Sequence, residues 1–383
     1  MSDPIPAARY GERLSAARTA LRGRGAGALL VGVGPQLRWL TGYAATPLER
    51  LTVLILPADG AATLLVPRLE RDPAGRAPAS AAGLLTIETW GETDDPTLAV
   101  AGALPAGADH GRLLLSDHLW AVHVLRLQAR LPGAKFGLAT EALRELRAVK
   151  DAEEIALLRA AGAAADRVMD AITAGRLVGR PEAEVAHEIR ERLIDEGHDE
   201  ADFAIVGSGP NSSSPHHEAS DRVIGSGEAL VLDLGGVRAG YCSDTTRTAW
   251  VTGGDPALAP TPEFRALYEV LQRAQAAAIA AVRPGVPCEG IDAAARTIIS
   301  DAGWGAQFIH RTGHGIGLEV HEEPYIVAGN AEPLRVGHAF SIEPGIYLEG
   351  RYGARIEDIV VCAADGADAL NRTSRDLRVV RGT

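Results

Sequence analysis

Three short apolar runs in the second half of this 383-residue chain each carry acid in their interior. Asp233 sits in "ALVLDLGG" among Val231, Leu232 and Leu234; Glu343 follows Ile342 in "FSIEPGIY"; Glu357 and Asp358 lie between Ile356 and Ile359 in "ARIEDIVV". Strand side chains alternate between faces, so such acids point either into a core or into a site. Charged groups seldom bury unless they are paired or hold a metal. Asp233 and Asp244 flank one hairpin turn, and Glu343 and Glu357 flank another. Cross-strand neighbours lie roughly 5 Å apart, so each hairpin is expected to present two carboxylates side by side.

The order of elements places those hairpins. Residues 1–148 read as an α/β domain, with a helix at 12–25, strands at 27–33, 51–57, 62–67 and 112–117, and a helix at 118–131. The glycines of "GRGAG" precede a strand, so they are no dinucleotide fingerprint. Residues 149–383 form the second domain. It opens at Asp151, with Glu154 three residues later as in a capping box, and continues as a long amphipathic helix. A helix at 180–197, with Pro181 in its first turn, a strand at 202–209 and a hairpin of 228–236 with 241–251 follow. Helices at 261–282 and 287–303 then precede a second strand pair, 338–349 with 353–362. Helix, helix, hairpin thus occurs twice, which predicts a sheet with pseudo-twofold symmetry and a cleft between its halves.

Four carboxylates converging in one cleft would repel without counter-charge. Two divalent cations would supply it, and His314 adds an imidazole to the set. Five donors rich in oxygen suit manganese, cobalt or iron better than a thiolate zinc site. Two ions about 3.5–4 Å apart need carboxylates that bridge them. Taken singly, each residue has an ordinary explanation: Asp244 in "SDTT" can bond its own turn, and His314 can be a loop histidine. The matching positions in two equivalent hairpins weigh against those explanations together.

Composition excludes other classes. A net charge of −12 argues against a nucleic-acid partner. No run approaches the roughly 20 apolar residues of a membrane-spanning helix, and the start lacks the apolar stretch of a signal peptide. Cys242, Cys288 and Cys362 are few and scattered, which suits a reducing cytosol and predicts a cytoplasmic protein. There is no G-x-S-x-G elbow for a serine hydrolase.

The series "DLGG", "YCSDTTRT", "TGHGIGLEVHEEP", "SIEPGIY" and "RIEDIVV" closely resembles the pita-bread metallopeptidases, over about 150–365. The α/β domain ahead of it is similar to that of the Xaa-Pro branch, prolidase and aminopeptidase P. The resemblance implies a creatinase-like α/β domain followed by an α+β pita-bread domain. It also implies that Asp233 chelates one metal, Asp244 and Glu357 bridge both, and His314 and Glu343 hold the second. Manganese is the first expectation, with cobalt, iron and zinc as alternatives. His321 and His216 are implied to stabilise the oxyanion and orient the substrate, and His310 to touch it; His217 is read as a bystander. Gly313, Gly315 and Gly317 are expected to let the backbone pass close to the metals.

The implied reaction is hydrolysis of an Xaa-Pro bond by a metal-bridging hydroxide, with Glu343 shuttling the proton, in a homodimer. Dipeptides are the expected substrates, with longer Xaa-Pro peptides as the alternative. A dipeptidase needs a cation for the free carboxylate, and arginine provides it best. Some prolidases carry an arginine four residues after the second histidine, but here Tyr325 stands there. Arg355, on the strand of Glu357, and Arg50, before a strand of the first domain, are the remaining candidates. A creatinase-like amidinohydrolase or a non-catalytic binding protein on this fold typically lacks the metal ligands that this chain keeps. Another C–N hydrolase or lyase on the scaffold stays open.

Overall fold

The structure is a computed structural model that describes residues 5–381; the first four residues of the start read above lie outside it. The chain divides into two compact units, Met1–Arg147 and Ala148–Thr383.

In the first unit, strands β1 (Ala26–Gly32), β2 (Val53–Pro57), β3 (Thr63–Pro67), β4 (Thr86–Trp90), β5 (Arg112–Leu115) and β6 (Lys135–Leu138) form one sheet in the order β4-β3-β2-β1-β5-β6. β1 runs antiparallel to β2 and parallel to β5, which makes the sheet mixed. The inner strands are the apolar runs visible in the sequence. The edge strands β4 and β6 were not expected there, and most of their residues face water wholly or in part. A strand with little to bury carries little apolar signal.

In the second unit, the helix Ala152–Ala174 starts with the expected capping box. Asp151 Oδ1 accepts from the Glu154 amide at 2.8 Å, and Glu154 Oε2 accepts from the Asp151 amide at 3.0 Å. Pro181 is the cap of the helix Glu182–Asp195 rather than part of its first turn. These two helices pack through Met169, Ile172, Val185 and Ile189 onto Leu230, Leu232 and Leu234. The strands beneath them are β7 (Glu200–Ser208), β8 (Glu228–Arg238) and β9 (Tyr241–Val251), joined at the far edge by a terminal strand, Arg378–Val380. Helices Pro262–Ala281 and Cys288–Asp301 cover the other half, through Phe264, Leu271, Ile291 and Ile299 against Phe340, Ile342 and Ile356. Each half is therefore a helix pair over a hairpin, as the repeated element order predicts.

The other half is built from β10 (Gly313–Gly315), β11 (Glu322–Ile326), β12 (Ala339–Ile342), β13 (Gly345–Leu348), β14 (Tyr352–Arg355), β15 (Asp358–Ala363) and β16 (Gly366–Ala369). One sheet has the order β11-β10-β12-β15-β16, and β13 pairs with β14 by itself. This corrects the expectation of two continuous strands at 338–349 and 353–362. Pro344 has no amide to donate, so the first strand stops before it. On the return strand the Glu357 amide donates to Thr246 O of β9 at 3.1 Å, outside its own hairpin. The register nonetheless carries through the break: Ile342 faces Asp358 on one side and Gly345 faces Arg355 on the other. Glu343 and Glu357 are the residues that face each other between them.

Candidate metal centre

In β8–β9 the ladder is unbroken, with Asp233 opposite Thr246 and Asp244 opposite Gly235. The two acids share a face but sit diagonally, not side by side as expected. An added Cβ on Gly235 would come within 2.3 Å of Ser243 O and 2.5 Å of the Phe203 ring, so only glycine fits opposite Asp244.

The glycine-rich stretch is a short strand, β10, between β11 and β12. Its glycines answer to neighbours other than metals. A Cβ on Gly313 would lie 1.8 Å from Ser341 O, one on Gly315 2.3 Å from Glu323 O, and one on Gly317 2.5 Å from Glu322 Oε1. Glu322 there meets Lys150 in a buried ion pair. Tight packing on both sides holds His314 in place. Its amide donates to Ser341 Oγ at 3.0 Å, and its Nδ1 lies 3.1 Å from Gly315 O. With Nδ1–H donating to that carbonyl, Nε2 is left as the ligand atom.

His314 Nε2 lies 3.2 Å from Glu343 Oε1 and 3.7 Å from Asp244 Oδ2. Asp244, His314 and Glu357 each offer a ligand atom within 4.8 Å of the others. Asp233, Asp244, Glu343, Glu357, His314, His310, His321, His216 and Arg355 all line one cavity of about 720 Å³. Two buried oxygens in it, Asp233 Oδ1 and Glu357 Oε1, have no hydrogen-bond partner among the described residues. Burial, then Glu357, Asp233 and Glu343, push the Asp244 carboxyl well above its ordinary range. Burial, then Glu343 and Asp233, do the same for Glu357. Burial also raises Asp233, against the pull of Arg355. Glu343 goes the other way: burial opposes it, but while no cation occupies His314 Nε2 the protonated ring donates to Glu343 and, with its charge, holds it at about 2. Acids that resist ionisation for want of counter-charge, with orphaned oxygens and one oriented imidazole, fit a divalent cation.

The remaining residues divide. Arg355 is buried, and its guanidinium is committed within the protein. Nη2 donates to Asp233 Oδ2 at 2.6 Å, Nη1 to Tyr347 Oη at 2.8 Å and Nε to Thr246 Oγ1 at 3.0 Å. His310 is bonded at both nitrogens, with Nδ1 2.7 Å from Arg311 O and Nε2 3.1 Å from Tyr347 Oη. Burial lowers its pKa first of all. His321 stands edge-on to His314 with ring centres 4.0 Å apart. Burial, then His314 and Arg311, lower its pKa to about 4, so it is neutral at pH 7. Arg50, in the first unit, pairs with Glu92 at 3.0 Å and Glu49 at 2.9 Å.

His217 is no bystander. Its Nε2 lies 2.8 Å from Oε2 of the buried Glu182, which also accepts from Ser208, Asn211 and Ser220. Glu182 thereby ties down the loop that carries His216. Neither Glu182 nor Tyr347 was singled out in the sequence. Tyr347 had a signal, four residues beyond Glu343 on one apolar run; Glu182 had none, since its partners lie 26 to 38 residues away.

Residues 156–364 match Metallopeptidase family M24, and residues 13–149 match the Creatinase/Prolidase N-terminal domain. The chain belongs to metallopeptidase family M24. It is similar to "Probable dipeptidase PepE" of Mycobacterium tuberculosis, with 46% identity over 97% of this chain and 96% of the relative. It is 35% identical to the Xaa-Pro dipeptidase of Lactobacillus helveticus, over 90% and 92% of the two chains. The crystal structure of dipeptidase PepE from Mycobacterium ulcerans superposes with a TM-score of 0.92 at 48% identity, covering 98% of this chain and 99% of that one. As an M24 member this chain is a metal-dependent peptidase, which implies divalent ions, and the buried group of Asp244, His314 and Glu357 could bind one. Among the described residues no helix is long and apolar enough to cross a membrane.

Proposed function

We propose that this M24 peptidase hydrolyses Xaa-Pro dipeptides with two divalent ions. Two unpartnered carboxylate oxygens, Asp233 Oδ1 and Glu357 Oε1, beside the Asp244–His314–Glu357 group carry the reading. Asp233 would hold one ion, Asp244 and Glu357 both, and His314 and Glu343 the second. The oxygen-rich set favours manganese over cobalt, iron or zinc. Bound ions of this kind lower the pKa of a coordinated water and polarise a carbonyl. The names of the mycobacterial and lactobacillar relatives support a dipeptide, and the second of them a proline after the scissile bond.

The residues of the chain then have definite tasks. Beside the two ions Glu343 would be held as a carboxylate, and it takes the proton of the attacking water. The leaving proline nitrogen belongs to a tertiary amide with no N–H, so Glu343 must also return that proton. His321 is neutral at pH 7, so it serves as an N–H donor to the carbonyl oxygen as charge grows there. His216, on the loop that Glu182 secures, orients the substrate. Cys242, Cys288 and Cys362, all buried, support a reducing, cytoplasmic setting; the homodimer rests on the family resemblance. The deciding experiment adds manganese, cobalt and zinc separately to metal-free protein and follows Ala-Pro and Ala-Pro-Ala. Cleavage of Ala-Pro that returns with metal supports the reading. Preferential cleavage of Ala-Pro-Ala replaces it with an aminopeptidase P activity.

A further inference from the structure

Among the buried residues of the helix Cys288–Asp301 only Asp292 is charged. Its Oδ1 accepts from the Thr312 amide at 3.1 Å and from the Thr312 hydroxyl at 2.8 Å. Its two oxygens also accept from Arg296, at 2.9 and 2.7 Å. Arg296 in turn donates to Phe308 O at 3.1 Å and His310 O at 2.8 Å, with its guanidinium 4.1 Å from the centre of the Phe308 ring. The pair thus grips every second residue of the segment 308–312, whose intervening residues Ile309 and Arg311 line the metal cavity. Thr312 passes the constraint on, since its carbonyl accepts from the Glu343 amide at 2.8 Å. Glu343 lies between the last pair of one ladder and the first pair of the next, so this bond fixes its backbone where no strand partner does.

Arg296, one helical turn along, already neutralises Asp292, so helix stability alone gives the acid no reason to reach Thr312. The other half repeats the device: Glu182, also fully buried and also on the second helix of its pair, secures the loop of His216. We infer that Asp292 is a positioning residue for the hydrolytic step, acting through Thr312 on the placement of Glu343. The inference rests on the peptidase reading proposed above, in which Glu343 carries the proton.

The test compares Thr312→Val, which keeps the branched shape and removes the hydroxyl, with Thr312→Ser, which keeps the hydroxyl and removes the methyl. kcat and KM are measured on Ala-Pro, Ala-Pro-Ala and Ala-Leu with saturating manganese, alongside metal content and Tm. A misplaced proton carrier predicts a kcat lower by roughly 10- to 100-fold in Thr312→Val, with KM and metal content near wild type. Thr312→Ser should keep most of the wild-type kcat, and Asp292→Asn, which breaks the shared grip on Thr312 and Arg296, should fall as Thr312→Val does. A wild-type kcat in Thr312→Val overturns the inference. So does a serine variant slower than the valine one, which marks packing, or a fall in kcat matched by an equal fall in metal content, which marks lost centres. If Thr312→Val does not fold, Asp292→Asn decides in its place, and a wild-type kcat there overturns the inference. A wild type that cleaves Ala-Leu and not Ala-Pro removes the proline reading, while the valine-to-serine order on Ala-Leu still decides the role of Asp292.

Discussion

The hairpin β8–β9 and its counterpart in the other half bring the same kind of side chain to the same cavity by different means. The first runs eleven residues a side without interruption, so alternation alone sets its acids on one face, and the acids end up diagonal. The second breaks at Pro344 and again at Ile356–Glu357 but keeps its register. Its two glutamates therefore sit opposite each other where the ladder is open. Freed from ladder bonding, the Glu357 amide reaches Thr246 O of the first hairpin. One hairpin provides a rigid floor, and the other is broken where it must meet that floor.

If both hairpins serve one centre, losing an acid from either should have the same large effect. Asp244→Ala and Glu357→Ala are each expected to lower kcat/KM by at least roughly 10³-fold, beyond the 10–100-fold typical of outer partners. Both should also lose metal by elemental analysis. Full activity and full metal content in Asp244→Ala would sink the shared centre.

Behind the centre the halves are tied by Arg247, buried in the first hairpin. It donates to Asp358 Oδ1 at 2.6 Å and to Glu357 O at 2.6 Å. Asp358 points away from the cavity while Glu357 points into it, as neighbours on a strand must. Arg247→Met leaves Asp358 with less counter-charge, although Gln275 and Arg375 also reach it. Breaking a buried pair in this way costs about 3–5 kcal/mol, read as a fall in Tm of the apo protein. An unchanged Tm would mean that Gln275 and Arg375 suffice.

Thr246 joins the halves more gently, donating to Glu357 Oε2 at 2.6 Å and accepting from Arg355 Nε. Thr246→Val keeps the shape and removes the hydroxyl. A drop of about 10–100-fold in metal affinity is expected, with Tm little changed. Equal affinity in a competition titration would show that the backbone contact at Thr246 O alone sets Glu357.

The contrast between hairpins also explains what could be read from sequence. β9 is buried throughout, so its length and its acid stood out. The edge strands β4 and β6 are largely exposed and left no apolar trace. The acids of the candidate centre were legible because acids inside apolar runs are rare, whereas pairing is invisible in one dimension. Nothing in the sequence distinguishes Arg311, whose guanidinium pairs with no described residue, from Arg50 and Arg355, which are paired. The break at Pro344 was available from its missing N–H, but the apolar run on either side masked it.

The smallest expected effect concerns what secures the approach to the first hairpin. Glu182, fully buried, holds the end of β7 through Ser208 and the His216 loop through His217 and Ser220. Burial alone would raise its pKa, yet the hydroxyls of Ser208 and Ser220 and the His217 ring bring it down to about 2. A carboxyl whose folded pKa lies below its unfolded value stabilises the fold above the unfolded value, and loses that contribution as pH falls through the folded one. For Glu182 the window runs from about 4.5 down to about 2. Glu182→Gln keeps the size and removes the charge. Thermal scans from pH 7 to pH 2 should show a difference in Tm between wild type and variant that is constant above about pH 5 and shrinks below it. Other acids titrate in the same range, but they do so in both proteins and cancel in that difference. A gap that stays constant to pH 2 would mean the loop is held by shape, and that the charge of Glu182 contributes nothing to it.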